Sequence, residues 1–469
     1  MQIIRFGTNG WHERFEDGFD EKSVSAIASA LGYAWGEDAA GKTVMVTYDA
    51  RHHSEEFALR ASGILSTYGL RVKLSASPAP TPALGWAVAC DDECVGGVAI
   101  CAGDLPHEYG GILVRGADGG PVSEAFAERV DSLISPVASA EGGALERIDL
   151  VTPYLTSVLS AIDVEKIRLR RPRVVVDSMH GSCSGSAASL LRAAGCSVID
   201  LHGDAREDFG GLHPEAAEPW VDECERTVTK LGADFGIVFD GDGERCAFVD
   251  ERGRLVPPHT MLALLLRHLV LRRGETGRVV TTHASSARIT READRLGVEL
   301  SSVPVGFRRL YVEAKVGDVL LACDEYGGAC FPAHFPERDA LLCALHVVEA
   351  LCDEAGSAGQ IFDEVEEETG RMYYAHKDVR LDAASLQAFS NLLPGLNPRS
   401  MAGRVPVAVS HADGMKVFFE GDAWAMVRPS RTESLVRVYA ESSTPGDRDS
   451  LLAEACDLAR GDVGGSMEG

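Results

Sequence analysis

The sequence predicts an α/β protein with three similar α/β domains on parallel or mixed sheets and a smaller α+β domain at the C-terminal end. A short apolar run followed by a polar loop and a helix-like segment occurs three times, starting at Val44, Val174 and Val279. Breaks rich in Gly and Pro separate these units. At about 150 residues per domain, a chain of 469 residues must hold more than one domain.

The three apolar runs are continuous rather than alternating, as in residues 44–48, 174–176 and 279–280. Continuous apolar strands that alternate with helices are typical of parallel sheets covered on both faces. Close-spaced alternating strands occur instead in the last part of the chain, as in residues 416–419 and 435–440. That spacing is typical of antiparallel sheets, so the last domain is predicted to be α+β. The four predicted domains are residues 1–140, 141–253, 254–373 and 374–469.

Composition and charge exclude several classes of function. Lys and Arg number 45 against 71 Asp and Glu, for a net charge of −26, which repels nucleic acids at long range. A few convergent Arg side chains could still bind a small anion. The most apolar window, residues 261–271, is interrupted by Arg267 and His268 and is shorter than the roughly 20 residues that a membrane span needs. We expect no nucleic-acid partner and no membrane partner.

The N-terminal segment and the cysteines indicate a cytoplasmic protein. Met1 is followed by the strand-like residues 3–6, without the basic and apolar regions of a signal peptide. Most of the 12 cysteines lie in apolar stretches, and no two have the Cys-x-x-Cys spacing of a zinc or redox site. We therefore expect buried thiols in a reducing compartment.

A strand-like run at residues 235–239 is followed by Asp240, Asp242 and Glu244 at alternate positions of a Gly-containing loop. Such carboxylates can converge on one hard cation such as Mg²⁺. The loop is not an EF-hand, because Arg245 stands where that motif needs Gly. The alternative is a solvated acidic turn, but three like charges so close together cost free energy unless a cation offsets them.

A second polar loop lies near the C-terminus and carries the side chains that phosphate binding needs, namely Arg428, Ser430, Arg431 and Thr432. Guanidinium groups bind phosphate oxygens in a bidentate manner, so the loop is predicted to be a phosphate site. The alternative is a surface turn whose Arg residues pair with nearby acids.

Residues 323–328 end a predicted strand and combine Glu325 and Tyr326 with two glycines, which suits recognition of sugar hydroxyls at a sheet edge. His334 is a candidate general acid or base, although a lone His is more often an ordinary hydrogen-bonded residue.

Taken together and in this order, these segments resemble the α-D-phosphohexomutases, the family of phosphoglucomutases, phosphomannomutases and phosphoglucosamine mutases. The resemblance covers nearly the whole chain and includes further matching segments at residues 5–11, 48–51, 80–84, 304–307 and 334–339. It implies four domains around one deep cleft, Mg²⁺ as cofactor and a phosphorylated sugar as ligand.

The resemblance breaks at the reactive residue. In that family a serine in a Thr-Ala-Ser-His-Asn-Pro motif carries a phosphoryl group, and the matching stretch here, residues 101–106, has Gly103 at that position and Asp104 after it. Glycine has no side-chain oxygen, so the ordinary mutase cycle cannot start there. The other departures near the cleft are His12 for Arg, Glu244 for Asp, Tyr326 for Ser, Arg308 for Lys and Arg431 for Gly.

Three functions stay open at this point. The first is Mg²⁺-assisted elimination or hydrolysis of the phosphate of a sugar or a sugar-containing nucleoside. The candidate proton acceptors are Asp104, His107 and His12, and the candidate substrate contacts outside the Glu325 loop and the phosphate loop are Arg245 and Arg308. The second is a mutase in which Asp104 replaces serine as phosphoryl carrier. The third is an inactive phosphosugar-binding protein or partner subunit.

Overall fold

The computed structural model describes residues 4–36, 39–135, 143–430 and 434–461. These residues form four sheets, of which the first three combine parallel and antiparallel strands and the last is antiparallel throughout. The predicted fold class is confirmed: three α/β domains are followed by a smaller α+β domain. No helix in these ranges is both long enough and apolar enough to cross a lipid bilayer.

The first sheet has six strands in the order β1-β5-β4-β2-β3-β6. They are β1 Trp11–Arg14, β2 Thr43–Tyr48, β3 Arg71–Ser75, β4 Cys94–Ile100, β5 Tyr109–Gly116 and β6 Leu145–Ile148. Its helices are α1 Glu21–Trp35, α2 Ser54–Thr67, α3 Thr81–Ala89 and α4 Glu124–Leu133. β6 follows the predicted boundary at residue 140 and pairs in parallel with β3. The antiparallel turn from β4 to β5 carries residues 101–108 at the C-terminal end of β4, where Asp104 contacts Arg245 of the second domain.

The second sheet has four strands in the order β10-β9-β7-β8, with only β10 antiparallel to its neighbour. They are β7 Arg173–Asp177, β8 Ser197–Leu201, β9 Phe235–Phe239 and β10 Cys246–Asp250. Its helices are α5 Val151–Ser160, α6 Val164–Arg170, α7 Ser186–Ala194 and α8 Asp222–Leu231. β9 is buried throughout, as its continuous apolar sequence predicts, and it delivers the acidic loop directly into the turn to β10.

The third sheet repeats this plan in the order β12-β11-β13-β14, again with one antiparallel edge strand. Its strands are β11 Arg278–Thr282, β12 Leu300–Val303, β13 Val319–Cys323 and β14 Ala329–Cys330. Its helices are α9 Pro258–Arg267, α10 Ala287–Leu296, α11 Phe307–Ala314, α12 Ala340–Asp353 and α13 Ala358–Thr369. A π-helical turn, His268–Arg272, continues α9.

The fourth sheet has five strands in the order β15-β19-β18-β17-β16. They are β15 Tyr373–Arg380, β16 Ala408–Ser410, β17 Met415–Phe418, β18 Trp424–Pro429 and β19 Leu435–Ser442, with helices α14 Ala383–Leu392 and α15 Pro445–Arg460. Buried Glu441 joins this domain to the third. It accepts hydrogen bonds from the Ala287 amide at 2.9 Å and from the Trp424 indole at 2.8 Å.

Candidate active site

The acidic loop holds two carboxylates that are almost fully buried, those of Asp240 and Asp242. Burial, and then the charge of Asp242, raises the pKa of Asp240 well above its usual value. Burial, followed by the charge of Glu244, raises the pKa of Asp242 to about 7. Asp240 Oδ1 has no hydrogen-bond partner among the described residues. Two neighbouring buried acids, one of them with an unpartnered oxygen, form an environment that favours a bound cation.

Hydrogen bonds from two domains hold this pair in place. Asp240 Oδ2 accepts a hydrogen bond from the Arg245 amide at 3.1 Å, which closes the loop on itself. Thr81, at the start of α3, donates its hydroxyl to Asp242 Oδ2 at 3.1 Å and its amide to the Asp242 carbonyl at 2.8 Å. The first domain therefore anchors the loop of the second.

Glu244, the third predicted metal ligand, is placed differently. Its Oε1 lies 2.8 Å from Arg115 Nη2, and its Oε2 is paired with Arg338. Glu337 lies 3.2 Å from the same Arg115 nitrogen. Two guanidinium groups thus pair with both oxygens of Glu244, which would have to leave at least one of them to bind an ion together with Asp240 and Asp242. Among the described residues, the side chains of the acidic loop do not form a group with three ligand atoms within 4.8 Å of one another.

The loop that holds Gly103 lies against the acidic loop. Gly103 has φ of 62°, which is in the left-handed region that favours glycine. A Cβ atom added to Gly103 would have one neighbour within 4 Å among the described residues, Asp242 Oδ2 at 3.9 Å. A side chain at this position would point toward the buried acidic pair. With glycine there, the space beside that pair is open.

Buried Arg51 fixes this loop. Its Nε pairs with Asp49 Oδ2 at 2.9 Å, and its two terminal nitrogens donate to the carbonyl groups of four loop residues, namely Gly103, Leu105, Pro106 and Tyr109. The guanidinium fork suits this task because it presents several donors in one plane.

Asp104 and Arg245 connect the first two domains across the cleft. Arg245 Nη1 donates to Asp104 Oδ2 at 2.8 Å, and Arg245 Nε lies 3.5 Å from Asp324 in the third domain. The guanidinium also lies over the ring of Tyr326, 5.4 Å from its centroid. Asp104 is thus ion-paired, and Arg245 joins all three α/β domains at one point.

The predicted sugar-recognition loop contacts the fourth domain. Buried Glu325 accepts a hydrogen bond from Thr282 Oγ1 at 2.7 Å, and burial followed by the charge of Asp324 raises its pKa. The Tyr326 ring meets His376 edge-on at 5.0 Å, and its hydroxyl lies 3.5 Å from that of Tyr439.

The predicted phosphate loop is described in part. Arg428 Nε donates to Asp413 at 3.0 Å, and its Nη2 donates to the Val305 carbonyl at 3.2 Å, which ties the fourth domain to the third. The Ser430 amide donates to the Leu435 carbonyl. Arg431 and Thr432 lie outside the described residues.

The remaining predicted residues are dispersed. His12 is exposed on β1, and His107 is half-exposed with Nδ1 3.6 Å from Glu108. His334 is partly buried and lies 3.1 Å from Ser157 Oγ and 3.6 Å from Asp339. Arg308 donates to the Val122 carbonyl and lies 3.4 Å from Glu124, so it joins the third domain to the first.

Sequence reasoning missed several residues of the site. Arg51, Thr81 and Arg338 lie inside segments that match the family, but no sequence pattern around them indicated which loops they contact. Arg115, on β5, gave no signal. Glu215 was also missed: burial, and then the charge of Asp104, raises the pKa of this carboxyl. Asp104 is distant from it in the chain, and a motif search cannot find such a pair.

Comparison with known families matches all four parts of the chain. Three family models match, those of the phosphoglucomutase/phosphomannomutase alpha/beta/alpha domains I, II and III, at residues 4–140, 152–253 and 257–368. The model of the phosphoglucomutase/phosphomannomutase C-terminal domain matches residues 394–458.

Individual proteins agree with these matches. A phosphoglucomutase/phosphomannomutase of Thermococcus kodakarensis is 30% identical over 91% of this chain and 92% of its own. A phosphoglucosamine/phosphogalactosamine mutase of Sulfurisphaera tokodaii is 26% identical over 97% and 99%. The crystal structure of a Thermus thermophilus protein, provisionally assigned as a phosphomannomutase, covers 97% of this chain and 99% of its own at 30% identity, with a TM-score of 0.87.

A more distant structure carries ligands. It is the N-acetylphosphoglucosamine mutase of Aspergillus fumigatus in complex with GlcNAc-6P and magnesium, at 15% identity and a TM-score of 0.60 over 98% of this chain and 96% of its own. At this identity the likeness shows the fold alone.

Proposed function

The chain belongs to the phosphoglucomutase/phosphomannomutase family, and from that premise we propose that it is an enzyme that binds a phosphorylated sugar and acts on the sugar's own phosphate, without a phosphoserine. The observation that carries this proposal is the open space at Gly103, which a side chain at that position would occupy and which lies beside Asp242. A substrate phosphate placed there would stand against the acidic pair.

Mg²⁺ fits the pair that Asp240 and Asp242 form. Both carboxylates are buried, their pKa values are raised, and Asp240 Oδ1 lacks a hydrogen-bond partner within the described ranges. When bound, the ion would polarise a phosphate and make it a better leaving group. Glu244 would not be a ligand of the ion, because both of its carboxylate oxygens are paired with Arg115 and Arg338. We propose two protein ligands for the ion, not three.

The protein's own groups would orient the substrate and move protons. Arg51 keeps the Gly103 loop in place through its carbonyl bonds, and Arg245 places a positive charge at the meeting point of three domains. Asp104 is the candidate proton acceptor, since its carboxylate reaches Arg245 beside the acidic loop. The reaction class proposed is loss of phosphate by hydrolysis or elimination.

A second candidate is a mutase that uses Asp104 as phosphoryl carrier. The observation that favours it is the position of Asp104, next to Gly103 in the same loop. Its carboxylate is, however, ion-paired with Arg245 at 2.8 Å, so it would have to leave this pair before it could attack phosphorus.

The proposal is tested by incubating the protein with Mg²⁺ and a panel of hexose, pentose, hexosamine and nucleoside phosphates. Free phosphate, unsaturated products and positional isomers are followed together. Free phosphate or an unsaturated product released by the wild type supports the proposal, whereas positional isomers that form in the wild type and disappear in Asp104→Asn support the carrier. If no substrate of the panel changes, an inactive phosphosugar-binding protein remains, and the proposal is rejected.

Restoring a hydroxyl at the phosphoserine position should restore phosphorylation of the protein. We expect Gly103→Ser to fold, because a Cβ there meets no atom closer than 3.9 Å, although the left-handed backbone should cost about 1 kcal/mol. Incubated with a hexose 1,6-bisphosphate and Mg²⁺, this variant should gain one phosphate by intact-protein mass spectrometry. Gly103→Ala should gain none, and a Gly103→Ser protein that stays unmodified would contradict the proposal that a phosphate binds in the space beside Gly103.

Neutralising one buried acid should stabilise the metal-free protein and remove its response to Mg²⁺. In EDTA, Asp240→Asn should melt at a higher temperature than the wild type, because it removes the cost of burying the carboxylate and then its repulsion of Asp242. Saturating Mg²⁺ should raise the melting temperature of the wild type but not that of the variant. At a Mg²⁺ concentration of 100 times Kd, the free energy of unfolding of the wild type should rise by about 2.7 kcal/mol. Asp92→Asn, at an exposed position, serves as control. An equal Mg²⁺ response in both variants would place the ion elsewhere.

A further inference from the structure

A second cluster of metal-ligating side chains lies in the third domain, apart from the cleft. His268 stands in the π-helical turn after α9, and His346 and Glu349 stand on α12. Each of the three residues has one potential ligand atom, and these three atoms lie within 4.8 Å of one another. His346 lies roughly 9 Å along the helix axis from Ala340, whose amide donates to the Gly243 carbonyl of the acidic loop.

Two of the distances in this cluster are close to those between the ligand atoms of a tetrahedral metal site. His268 Nε2 lies 3.2 Å from Glu349 Oε2, and His346 Nδ1 lies 3.6 Å from the same oxygen. Bonds of 2.0–2.2 Å at tetrahedral angles place two ligand atoms about 3.3–3.6 Å apart. The i, i+3 spacing of His346 and Glu349 puts both side chains on one face of α12.

The histidines have unmet bonding capacity. His268, His346 and Glu349 are 2%, 4% and 1% exposed. Apart from the contacts that His268 Nε2 and His346 Nδ1 make with Glu349, these two nitrogens and His268 Nδ1 are buried without a hydrogen-bond partner in the part of the chain that the structure describes. Buried polar atoms almost always have partners, so such atoms around a carboxylate call for an explanation. The π-helical turn, a rare feature that is frequent at functional sites, brings His268 to this point.

The Glu349 carboxylate also accepts hydrogen bonds from an arginine outside the cluster. Arg273 Nη1 donates to both oxygens of Glu349, at 3.2 and 3.1 Å, and Arg273 Nε pairs with Glu275 at 2.7 Å. Carboxylates that bind metal ions commonly accept hydrogen bonds of this kind from outside the metal site. Glu275 offsets the charge of the guanidinium, so a divalent cation beside Glu349 would not face an unbalanced positive group.

We propose that His268, His346 and Glu349 form a binding site for a divalent transition metal, best suited to Zn²⁺. Two imidazoles and one carboxylate are a ligand set that Zn²⁺ takes with water as the fourth ligand, whereas Mg²⁺ prefers oxygen ligands. The site differs in donor chemistry and position from the acidic loop. It stands independently of the proposed function, since it joins α12 to the end of α9 rather than lining the cleft.

The test is a titration of the full-length protein with Zn²⁺ and, separately, with Co²⁺ after treatment with EDTA and removal of the chelator. We expect one equivalent of Zn²⁺ that excess Mg²⁺ does not displace, and Co²⁺ bands in the visible range whose intensity indicates tetrahedral nitrogen and oxygen ligands. His346→Gln and His268→Gln should each weaken Zn²⁺ binding at least about 100-fold. Arg273→Lys, which alters only the outer support, should weaken it about 10-fold.

His259→Gln is the matched control, because His259 is equally buried and lies outside the cluster. Its Zn²⁺ affinity should stay within about twofold of the wild type. Wild-type protein that binds no Zn²⁺ or shows no tetrahedral Co²⁺ bands would overturn the proposal. Binding that is equal in the wild type and in folded His346→Gln, checked by circular dichroism, would also overturn it. If the variants fail to fold, a wild-type protein without Zn²⁺ binding or without tetrahedral Co²⁺ bands still overturns the proposal.

Discussion

Arg51→Ala should destabilise the protein by about 3–5 kcal/mol and disorder the Gly103 loop. The guanidinium is buried, pairs with buried Asp49 and donates to four loop carbonyls. Its removal leaves one buried carboxylate without a counter-charge and four carbonyls without their donor, which is the costly way to break a buried ion pair. The measurement is the first unfolding transition in urea, together with hydrogen exchange of residues 103–109.

Two comparisons separate the loop effect from a general loss of stability. Arg51→Lys should recover little, because an ammonium group cannot reach several carbonyls in one plane. Arg168→Ala removes an exposed partner of Glu165 and should change stability by about 0.5 kcal/mol or less. Unchanged exchange of residues 103–109 in folded Arg51→Ala would show that other contacts hold the loop.

Arg338→Ala is expected to have an effect of similar size, about 3–5 kcal/mol, at the junction of the three α/β domains. Arg338 pairs with Glu244, lies 3.6 Å from Glu337 and rests over the ring of Phe307. Without it, two buried carboxylates would share Arg115 alone, and their repulsion would be uncompensated. Thermal unfolding monitored by circular dichroism measures the loss.

The double variant identifies the cause of this loss. Adding Glu244→Gln to Arg338→Ala should restore part of the stability, because it removes one of the stranded charges. Arg226→Ala, at an exposed pair with Asp222, should leave the melting temperature nearly unchanged. A double variant that is less stable than Arg338→Ala would mean that Glu244 contributes through contacts other than its charge.

The fold could be predicted from the sequence in its main outline. The continuous apolar runs at Val44, Val174 and Val279 became the buried parallel strands β2, β7 and β11, and the alternating runs near the C-terminus became antiparallel β17 and β19. A strand buried on both faces is continuously apolar, whereas a strand buried on one face alternates apolar and polar residues. These strands could therefore be predicted from the sequence. The strand β6 at Leu145–Ile148 was not placed, because its partner β3 is distant in sequence.

The site was predicted less completely. The sequence located Asp240 and Asp242 because a buried strand leads straight into them, and the structure does bury both. It placed Glu244 in the same ligand set, although Glu244 pairs with Arg115 and Arg338. The spacing of residues in the sequence shows which side chains share a loop. It does not show which charged residues of other domains form ion pairs with them.

What the sequence by itself determined is the fold class, the family and the acidic loop, and the family resemblance aligns Gly103 with the phosphoserine. These depend on local patterns of apolar and polar residues and on residue identity. Only the tertiary structure decided that Arg51 holds the Gly103 loop, that Arg245 joins Asp104 to Asp324, and that His268 meets His346 and Glu349. Each of these contacts joins residues far apart along the chain, and their distances and burial exist only once the domains have packed together.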